Sequence, residues 1–285
     1  MRYEGALYRP PSEAKSLIIQ ATVGCSHNKC SFCSMYKNDD FRIKKNHEII
    51  EDIKTARDQY KYIERIFLAD GDALIIKTSN LIEILDYISF LIPECKRVGV
   101  YASPKSIMTK SLSDLKLLKS KGLDIAYLGL ESGSDKVLSN INKGVNSQEL
   151  IECARRLKGA GIKLSLTLIS GIGGRDNWKE HAIESANVVN KINPEYLGLL
   201  TLMVEEGTDL KKDIENGDFT RLTPAEITNE TILLLKNLNS DNTIFRSNHP
   251  SNYVTLKGVL NKDKDRMIDE LENPQSYKEE WMRRL

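Results

Sequence analysis

Charge of one sign is what this sequence lacks most plainly: 41 Lys plus Arg stand against 40 Asp plus Glu, a net charge of +1. Such a balance gives no electrostatic case for nucleic acid or a membrane surface as an obligate partner. No apolar run approaches the ~20 residues that span a bilayer. The opening stretch MRYEGALYRPPSEAKS lacks the continuous apolar segment of a signal peptide. These absences lead to the expectation of a cytoplasmic protein, in which thiols stay reduced. Cysteine is scarce too, and its count of five is odd, which argues against a disulfide framework. With 40% apolar and 28% charged residues, 17 Gly and 8 Pro, the composition excludes a disordered or fibrous chain. The basic pairs Lys44-Lys45 and Arg155-Arg156 read as solvated helix faces rather than binding patches.

What is present, from Ser16 onward, is an alternation of strand-like and helix-like segments. SLIIQATV (Ser16–Val23), RIFLAD (Arg65–Asp70), RVGVYAS (Arg97–Ser103), DIAYLGLE (Asp124–Glu131), IKLSLTLIS (Ile162–Ser170) and EYLGLLTLMV (Glu195–Val204) are short, apolar runs suited to buried strands. Between them lie stretches with helical spacing. In NHEIIEDIKTARDQY, Ile49, Ile50, Ile53 and Ala56 share one face. Ser79 is placed to cap a helix over 79–92, and Thr223 with Pro224 at the first helical position to open one over 223–238. Six βα units with short connections imply an α/β fold with a parallel sheet covered by helices. An incomplete (β/α) barrel and an open doubly wound sheet both satisfy the pattern. In either, functional residues collect at the carboxyl ends of the strands.

Those ends are rich in polar residues and glycine. They read Gly24-Cys25, Asp70-Gly71-Asp72, Tyr101-Ala102-Ser103-Pro104, Glu131-Ser132-Gly133, Ser170-Gly171-Ile172-Gly173-Gly174 and Glu205-Glu206-Gly207-Thr208. The first carries three of the five cysteines, Cys25, Cys30 and Cys33, spaced C-x4-C-x2-C. A zinc site would need a fourth ligand. His27 lies only two residues from Cys25, too near for the usual ligand separation, and no second C-x2-C knuckle exists. A [4Fe–4S] cluster takes one thiolate per iron, so three cysteines would leave one iron open to bind something else. Cys95 and Cys153 are isolated and read as packing or surface thiols.

These residues resemble the radical S-adenosylmethionine (SAM) superfamily over roughly residues 15–210, nearest the branch of coproporphyrinogen dehydrogenase and the methylthiotransferases. That family places its cluster loop after the first strand of a partial (β/α)6 barrel, usually as C-x3-C-x2-C with an aromatic before the last cysteine. Phe32 holds that place here, and the first gap is one residue longer. The resemblance implies metal ligation by Cys25, Cys30 and Cys33. FLADGDAL (Phe67–Leu74) stands at the second-strand motif that receives the SAM amino group, so Asp70, Gly71 and Asp72 are implied contacts. LGLESGSDKVLSNINKG matches the fourth-strand signature: Glu131 is implied to bind the ribose hydroxyls and Lys143 to pair with the SAM carboxylate. Ser103 falls near another ribose contact, and Gly171 and Gly173 in SGIGG near adenine. The implied cofactors are a [4Fe–4S] cluster and SAM, with a low-potential electron donor such as flavodoxin or ferredoxin as partner. The implied fold is a partial (β/α)6 TIM-like barrel over 16–240, after a segment 1–15 and before a short α/β extension, 241–285.

Outside that core, Arg9 and Glu13 either touch the site or order the chain. IFRSNHPSNYVTLKGVL (Ile244–Leu260) is dense in polar groups: Arg246, Asn248, His249, Ser251, Asn252 and Tyr253. It reads either as a closing segment with His249 and Tyr253 as catalytic candidates, or as a polar loop joined to a strand YVTLKGVL. Two remaining cysteines provide no set for an auxiliary cluster, which argues against methylthiotransferase chemistry, and no cobalamin-type domain fits before Ser16. The expected function is therefore that of a single-cluster enzyme with an unidentified small-molecule or macromolecular substrate. A zinc-binding α/β protein and a non-catalytic iron–sulfur electron carrier are the alternatives.

Overall fold

The aliphatic runs become parallel strands and the amphipathic stretches become helices, in a computed structural model that describes residues 1–274 and 277–283. The order opens with β1 (Leu17–Gln20), α1 (Asn46–Gln59), β2 (Arg65–Ala69), α2 (Thr78–Leu91), β3 (Arg97–Ala102), α3 (Pro104–Met108) and α4 (Leu112–Ser120). It continues with β4 (Leu123–Glu131), α5 (Asp135–Asn140), α6 (Ser147–Gly159), β5 (Lys163–Ser170), α7 (Gly174–Ile192) and β6 (Tyr196–Thr201). It closes with α8 (Asp209–Asn216), α9 (Pro224–Asn237), β7 (Ile244–Arg246), β8 (Lys257–Val259) and α10 (Lys264–Glu272). The α/β class with parallel strands is thus what the chain has. Among the described residues no helix is long and apolar enough to cross a membrane.

The chain divides into two compact units. The first comprises Met1–Asn28, Met35–Leu128 and Cys153–Leu164. In it β1, β2, β3 and the start of β4 run parallel, with Ile18 opposite Phe67, Ile66 opposite Val98 and Val100 opposite Ala126. Ile66 to Ala69 are buried without alternation, as expected where helices cover both faces of a strand. Helix α1 turns Ile49, Ile53 and Ala56 inward, and α2 does the same with Leu81, Ile84, Leu85 and Ile88. Glu13 is fully buried and bonds Arg97, Tyr127 and Ser16, beside Gly99, where a Cβ would stand 3.3 Å from its Oε1. It orders the chain.

The second unit comprises Lys29–Ser34, Gly129–Glu152 and Ser165–Leu285. Here β5 and β6 pair in parallel from Ser165 opposite Tyr196 to Ser170 opposite Thr201, and β7 continues the parallel order with Ile244 opposite Tyr196. Only β8 reverses, placing Gly258 opposite Phe245. Helix α7 packs on α9, and α10 packs on α9 in turn. The sequence motif at the start of α9 works as expected. Thr223 accepts from the Glu226 amide, the Glu226 carboxylate accepts from the Thr223 amide, and Pro224 fills the first helical position.

Several expectations change. The first strand stops at Gln20, and Thr22–Val23 instead pairs antiparallel with Arg42–Ile43 in a short ribbon. Helix α2 begins at Thr78, so Ser79 lies inside its first turn and caps nothing. Lys44 is not a solvated face: it is buried, with Nζ 2.6 Å from the Arg2 carbonyl oxygen and 3.5 Å from Asp52 Oδ2. The polar stretch after α9 contains β7, and the strand expected over Tyr253–Leu260 shrinks to Lys257–Val259. Helices α3, α5, α8 and α10 were not marked by the sequence pattern, because runs of five to nine residues carry little periodicity.

Gly133 shows how closely the second unit is packed. A Cβ there would sit 2.2 Å from the Glu184 carbonyl oxygen and 2.6 Å from Ser185 Cα on α7, while the Gly133 amide donates to Ser185 Oγ at 2.9 Å. Backbone cannot step aside as a flexible side chain can. Gly133→Ala is expected to lower unfolding free energy by about 2–3 kcal/mol in urea titration, with an unchanged dependence on denaturant. A loss below about 0.5 kcal/mol would show that α7 has room to shift.

Candidate active site

In the first unit, three strand ends meet around Asp72. This carboxylate is fully buried. It accepts from the Ser103 amide at 3.0 Å, from Ser103 Oγ at 2.7 Å and, in a short bond, from Ser26 Oγ. Ser103 also caps α3, its Oγ accepting from the Ser106 amide at 3.0 Å. The loop after β1, the turn after β2 and the start of α3 are thereby tied together. Gly71 lies against Cys25: its amide donates to the Gly24 carbonyl at 3.2 Å, and a Cβ would come within 3.1 Å of Cys25 Cβ and 2.9 Å of the Tyr36 ring. Only glycine fits that approach. Asn28, in the longer gap between the first two cysteines, takes a left-handed backbone (φ 46°) and donates from Nδ2 to the Tyr36 carbonyl at 2.7 Å. Asparagine tolerates that conformation better than most residues.

Asp70 behaves differently from Asp72. Its Oδ2 accepts from Gln20 Nε2 at 2.7 Å, and its amide donates to Thr22 Oγ1 at 3.0 Å, but Oδ1 is buried without a hydrogen-bond partner. Burial pushes its carboxyl up to about 6, against the pull of Gln20 and the Gly24 amide. A half-satisfied buried carboxyl is an acceptor awaiting a donor.

In the second unit, Cys30 and Cys33 sit on a turn closed by the Cys33 amide donating to the Cys30 carbonyl at 3.3 Å. The turn is pinned where the Ser31 amide meets the Ile141 carbonyl (2.9 Å) and the Ser31 carbonyl meets the Leu210 amide (3.0 Å). Phe32 anchors it by packing against a cluster that includes Val137, Ile141, Ile169, Ile172 and Leu202. At the end of β4, Glu131 Oε1 and Lys143 Nζ form a 2.9 Å ion pair, both side chains nearly buried. The pair lies over Gly129, where a Cβ would overlap Glu131 Oε1. Glu131 itself has φ 59°, rare for a residue with a Cβ.

The turn at the end of β5 is held by a residue that lies in no motif. Glu230, on α9, is buried, and its Oε1 accepts from the Gly171 amide at 2.7 Å and from Ser170 Oγ at 2.5 Å. Its Oε2 is buried without a partner. His181 Nε2 stands 3.9 Å from Oε1, and Nδ1 lies 2.8 Å from Ser132 Oγ. Desolvation pushes Glu230 up to about 7 and His181 down to about 4, so both are held towards their neutral forms. Gly173 precedes α7, its carbonyl accepting from Asn177 Nδ2 at 3.2 Å.

The segment after β7 folds onto the end of β6. Ser251 Oγ accepts from the Thr201 amide at 3.2 Å, and Asn252 bridges Thr201 Oγ1 (2.9 Å) and the Leu199 carbonyl (2.8 Å). His249 is half-buried with Nδ1 2.9 Å from Ser251 Oγ, and burial lowers its basicity. Tyr253 is buried, its hydroxyl between Glu280 and Arg283. Both residues are thus engaged in holding this segment.

Among the described residues, no three His, Cys, Asp or Glu side chains are gathered as a metal-ligand set. Thiolates have no mutual attraction, and metal sites seldom close before the metal binds. The donor chemistry nevertheless fits an iron–sulfur cluster and a zwitterionic ligand: three cysteines spaced C-x4-C-x2-C in the sequence and, within the first unit, an Asp70 oxygen without a hydrogen-bond partner among the described residues and a glycine, Gly71, set against Cys25.

Glu230 has a further consequence for stability. A carboxyl raised from 4.5 to about 7 on folding stabilises the fold fully below pH 4.5, and that contribution is lost as pH rises through 7. Glu230→Gln keeps the acceptor but cannot ionise. The stability of the variant relative to the unsubstituted chain should therefore rise between pH 5 and pH 8, by up to ~3 kcal/mol. Parallel unfolding curves at both pH values check this; an unchanged difference contradicts it.

The family model "Radical SAM superfamily" matches residues 19–186, more than half of the chain. Relatives include the heme chaperone HemW of Buchnera aphidicola (22% identical, covering 63% of this chain and 49% of that protein) and of Bacillus subtilis (23%, covering 71% and 54%). The chain spans about half the length of these relatives. A tRNA-2-methylthio-N(6)-dimethylallyladenosine synthase of Bordetella petrii is 25% identical over 59% of this chain and 37% of its own. The fold is shared with methylornithine synthase (TM-score 0.55, 18% identical, 80% of this chain and 64% of that one). It is shared also with coproporphyrinogen III oxidase of Escherichia coli (TM-score 0.57, 15%, 78% and 52%). With its cysteine loop, its strand-end glycines and acids, and more than half its length within the family match, the chain belongs to the radical SAM superfamily, whose cofactors are a [4Fe–4S] cluster and S-adenosylmethionine.

Proposed function

We propose that the chain is a single-cluster radical SAM enzyme in which Cys25, Cys30 and Cys33 ligate three irons of a [4Fe–4S] cluster and leave the fourth to SAM. The observation that carries this reading is a set of three thiols, and only three, on a loop inside the matched region. When bound, such a cluster supplies the electron that splits SAM into methionine and a 5′-deoxyadenosyl radical, which takes a hydrogen atom from the substrate.

The protein's part is to hold and orient. Asp70 Oδ1 accepts from the SAM amino group, which gives that buried oxygen the donor it lacks. Gly71 admits the ligand beside Cys25. Asp72 and Ser103 satisfy one another, so their role is to fix the Asp70 turn rather than to meet SAM through Asp72. Glu131 accepts from the ribose hydroxyls, while Lys143, already beside it, donates to the SAM carboxylate through another of its three N–H groups. Gly171 and Gly173 flank the adenine, and Phe32 shields the cluster. Residues 16–240 form the core, and 241–285 flank it, with His249 and Tyr253 facing the substrate. A low-potential carrier such as flavodoxin or ferredoxin supplies the electron, in the cytoplasm, and the substrate is a small molecule or a macromolecule not yet identified.

Anaerobic reconstitution tests this reading. The chain should bind about four irons and form 5′-deoxyadenosine from SAM under reductant. Replacement of all three cysteines by alanine should abolish both. Tightly bound zinc without iron, or a redox-active cluster that never cleaves SAM, would overturn it. Loss of the Lys143 charge-assisted bond, worth about 1.5–3 kcal/mol, should weaken SAM binding by at least about tenfold in Lys143→Ala. Equilibrium dialysis of the reconstituted variant measures this, with unchanged affinity removing Lys143 from the site.

A further inference from the structure

At the ends of β5 and β6 the second unit contains a receptor for a guanidinium group, filled by the chain's own Arg283. The Arg283 guanidinium is completely buried. Its Nε donates to the Ser251 carbonyl at 2.6 Å, Nη2 to the Leu202 carbonyl at 2.9 Å and Nη1 to the Tyr253 hydroxyl at 2.6 Å. Its plane lies over the Tyr253 ring, 4.1 Å from the centroid, at a distance suited to cation–π attraction. Nη1 also meets both carboxylate oxygens of Glu280 at 2.8 Å, and Arg221 approaches the same carboxylate at 3.4 Å.

Two features distinguish this from ordinary packing. Across residues 277–283, Arg283 alone is buried; Trp281 is 75% exposed and Met282 42%. The segment therefore docks chiefly by one side chain, helped by Tyr277 stacking on Tyr253 and the Lys278 amide donating to the Tyr253 carbonyl at 2.9 Å. The acceptors, by contrast, are fixed by contacts that do not involve that segment. Thr201 and Asn252 hold the loop to β6, Ser247 bonds the Val254 and Leu256 backbone, and Tyr253 packs on Leu222 and Ile227. The receptor is built, and the arginine enters it as a tethered ligand. A small cleft beside it, with about 10 Å³ of free volume, is lined by Arg283 itself, Tyr253 and Gly171 of the β5 turn.

We propose that this is a substrate-recognition subsite for an arginine-like group, free or in a peptide, and that Arg283 with Glu280 occupies it as an internal surrogate. Two carbonyls and a tyrosine hydroxyl receive three different nitrogens of one planar fork, which an ammonium cannot reproduce. A ligand carrying both a guanidinium and a carboxylate would replace Arg283 and Glu280 together, with Arg221 meeting the carboxylate. The placement next to a catalytic centre rests on the radical SAM reading above; the guanidinium site itself does not.

The test needs neither cluster nor SAM. In full-length Arg283→Ala, L-arginine should bind at least tenfold more tightly than L-lysine, and at least tenfold more tightly than it binds the unsubstituted chain, where the tethered group competes. Adding Tyr253→Ala to that variant should cost a further tenfold. Calorimetry reads all three. Equal affinity for arginine and lysine, or no gain over the unsubstituted chain, overturns the proposal. If Arg283→Ala fails to fold, hydrogen exchange on the unsubstituted chain decides: L-arginine, but not L-lysine at equal ionic strength, should speed exchange of the Lys278 amide severalfold. No acceleration counts against the site.

Discussion

The placement of the first cysteine, Cys25, rests on one buried carboxyl group, Asp72. A fully buried charge is tolerated only when its lone pairs are taken up by donors. Here those donors are Ser26, one residue after Cys25, and the amide and hydroxyl of Ser103 at the head of α3. The need to satisfy Asp72 therefore dictates where the first cysteine stands relative to the ends of β2 and β3. Asp70, two residues earlier, keeps one oxygen without a hydrogen-bond partner among the described residues. One acid ties the turn together, and the other is the ligand contact of the proposed function.

The second unit also ties its strand ends with buried polar side chains. Glu230 reaches from α9 to the Ser170–Gly171 turn, and His181 reaches from α7 to Ser132, so two strand ends are held by buried groups kept neutral by desolvation. A neutral carboxyl and a neutral imidazole fix backbone without adding charge. Glu131 and Lys143, by contrast, meet as an ion pair laid across Gly129.

Much of this was legible in the residues. Uninterrupted apolar runs marked the parallel strands because a strand covered on both faces needs no alternation. Glycines and acids at their carboxyl ends marked the candidate site, and the cysteine loop pointed to the family that the family match shows. What escaped detection depends on contacts between distant residues. Glu230 and His181 look like ordinary helix-surface residues until α7 and α9 pack. Lys44 looks solvated until Asp52 and the Arg2 carbonyl enclose it. Asp70 and Asp72 look equivalent in FLADGDAL, and only their partners separate the fully bonded acid from the one with an oxygen left over. Arg283 sits in a charged, unremarkable stretch, and only the acceptors waiting at the end of β6 give it meaning.

In the proposed function, three cysteines leave one iron for SAM. Electron paramagnetic resonance of the reconstituted, reduced chain, recorded with and without SAM, examines that claim at the iron itself. The account predicts a reduced-cluster signal whose g values shift when SAM is added, because the ligand at the open iron changes. A cluster signal indifferent to saturating SAM would contradict it.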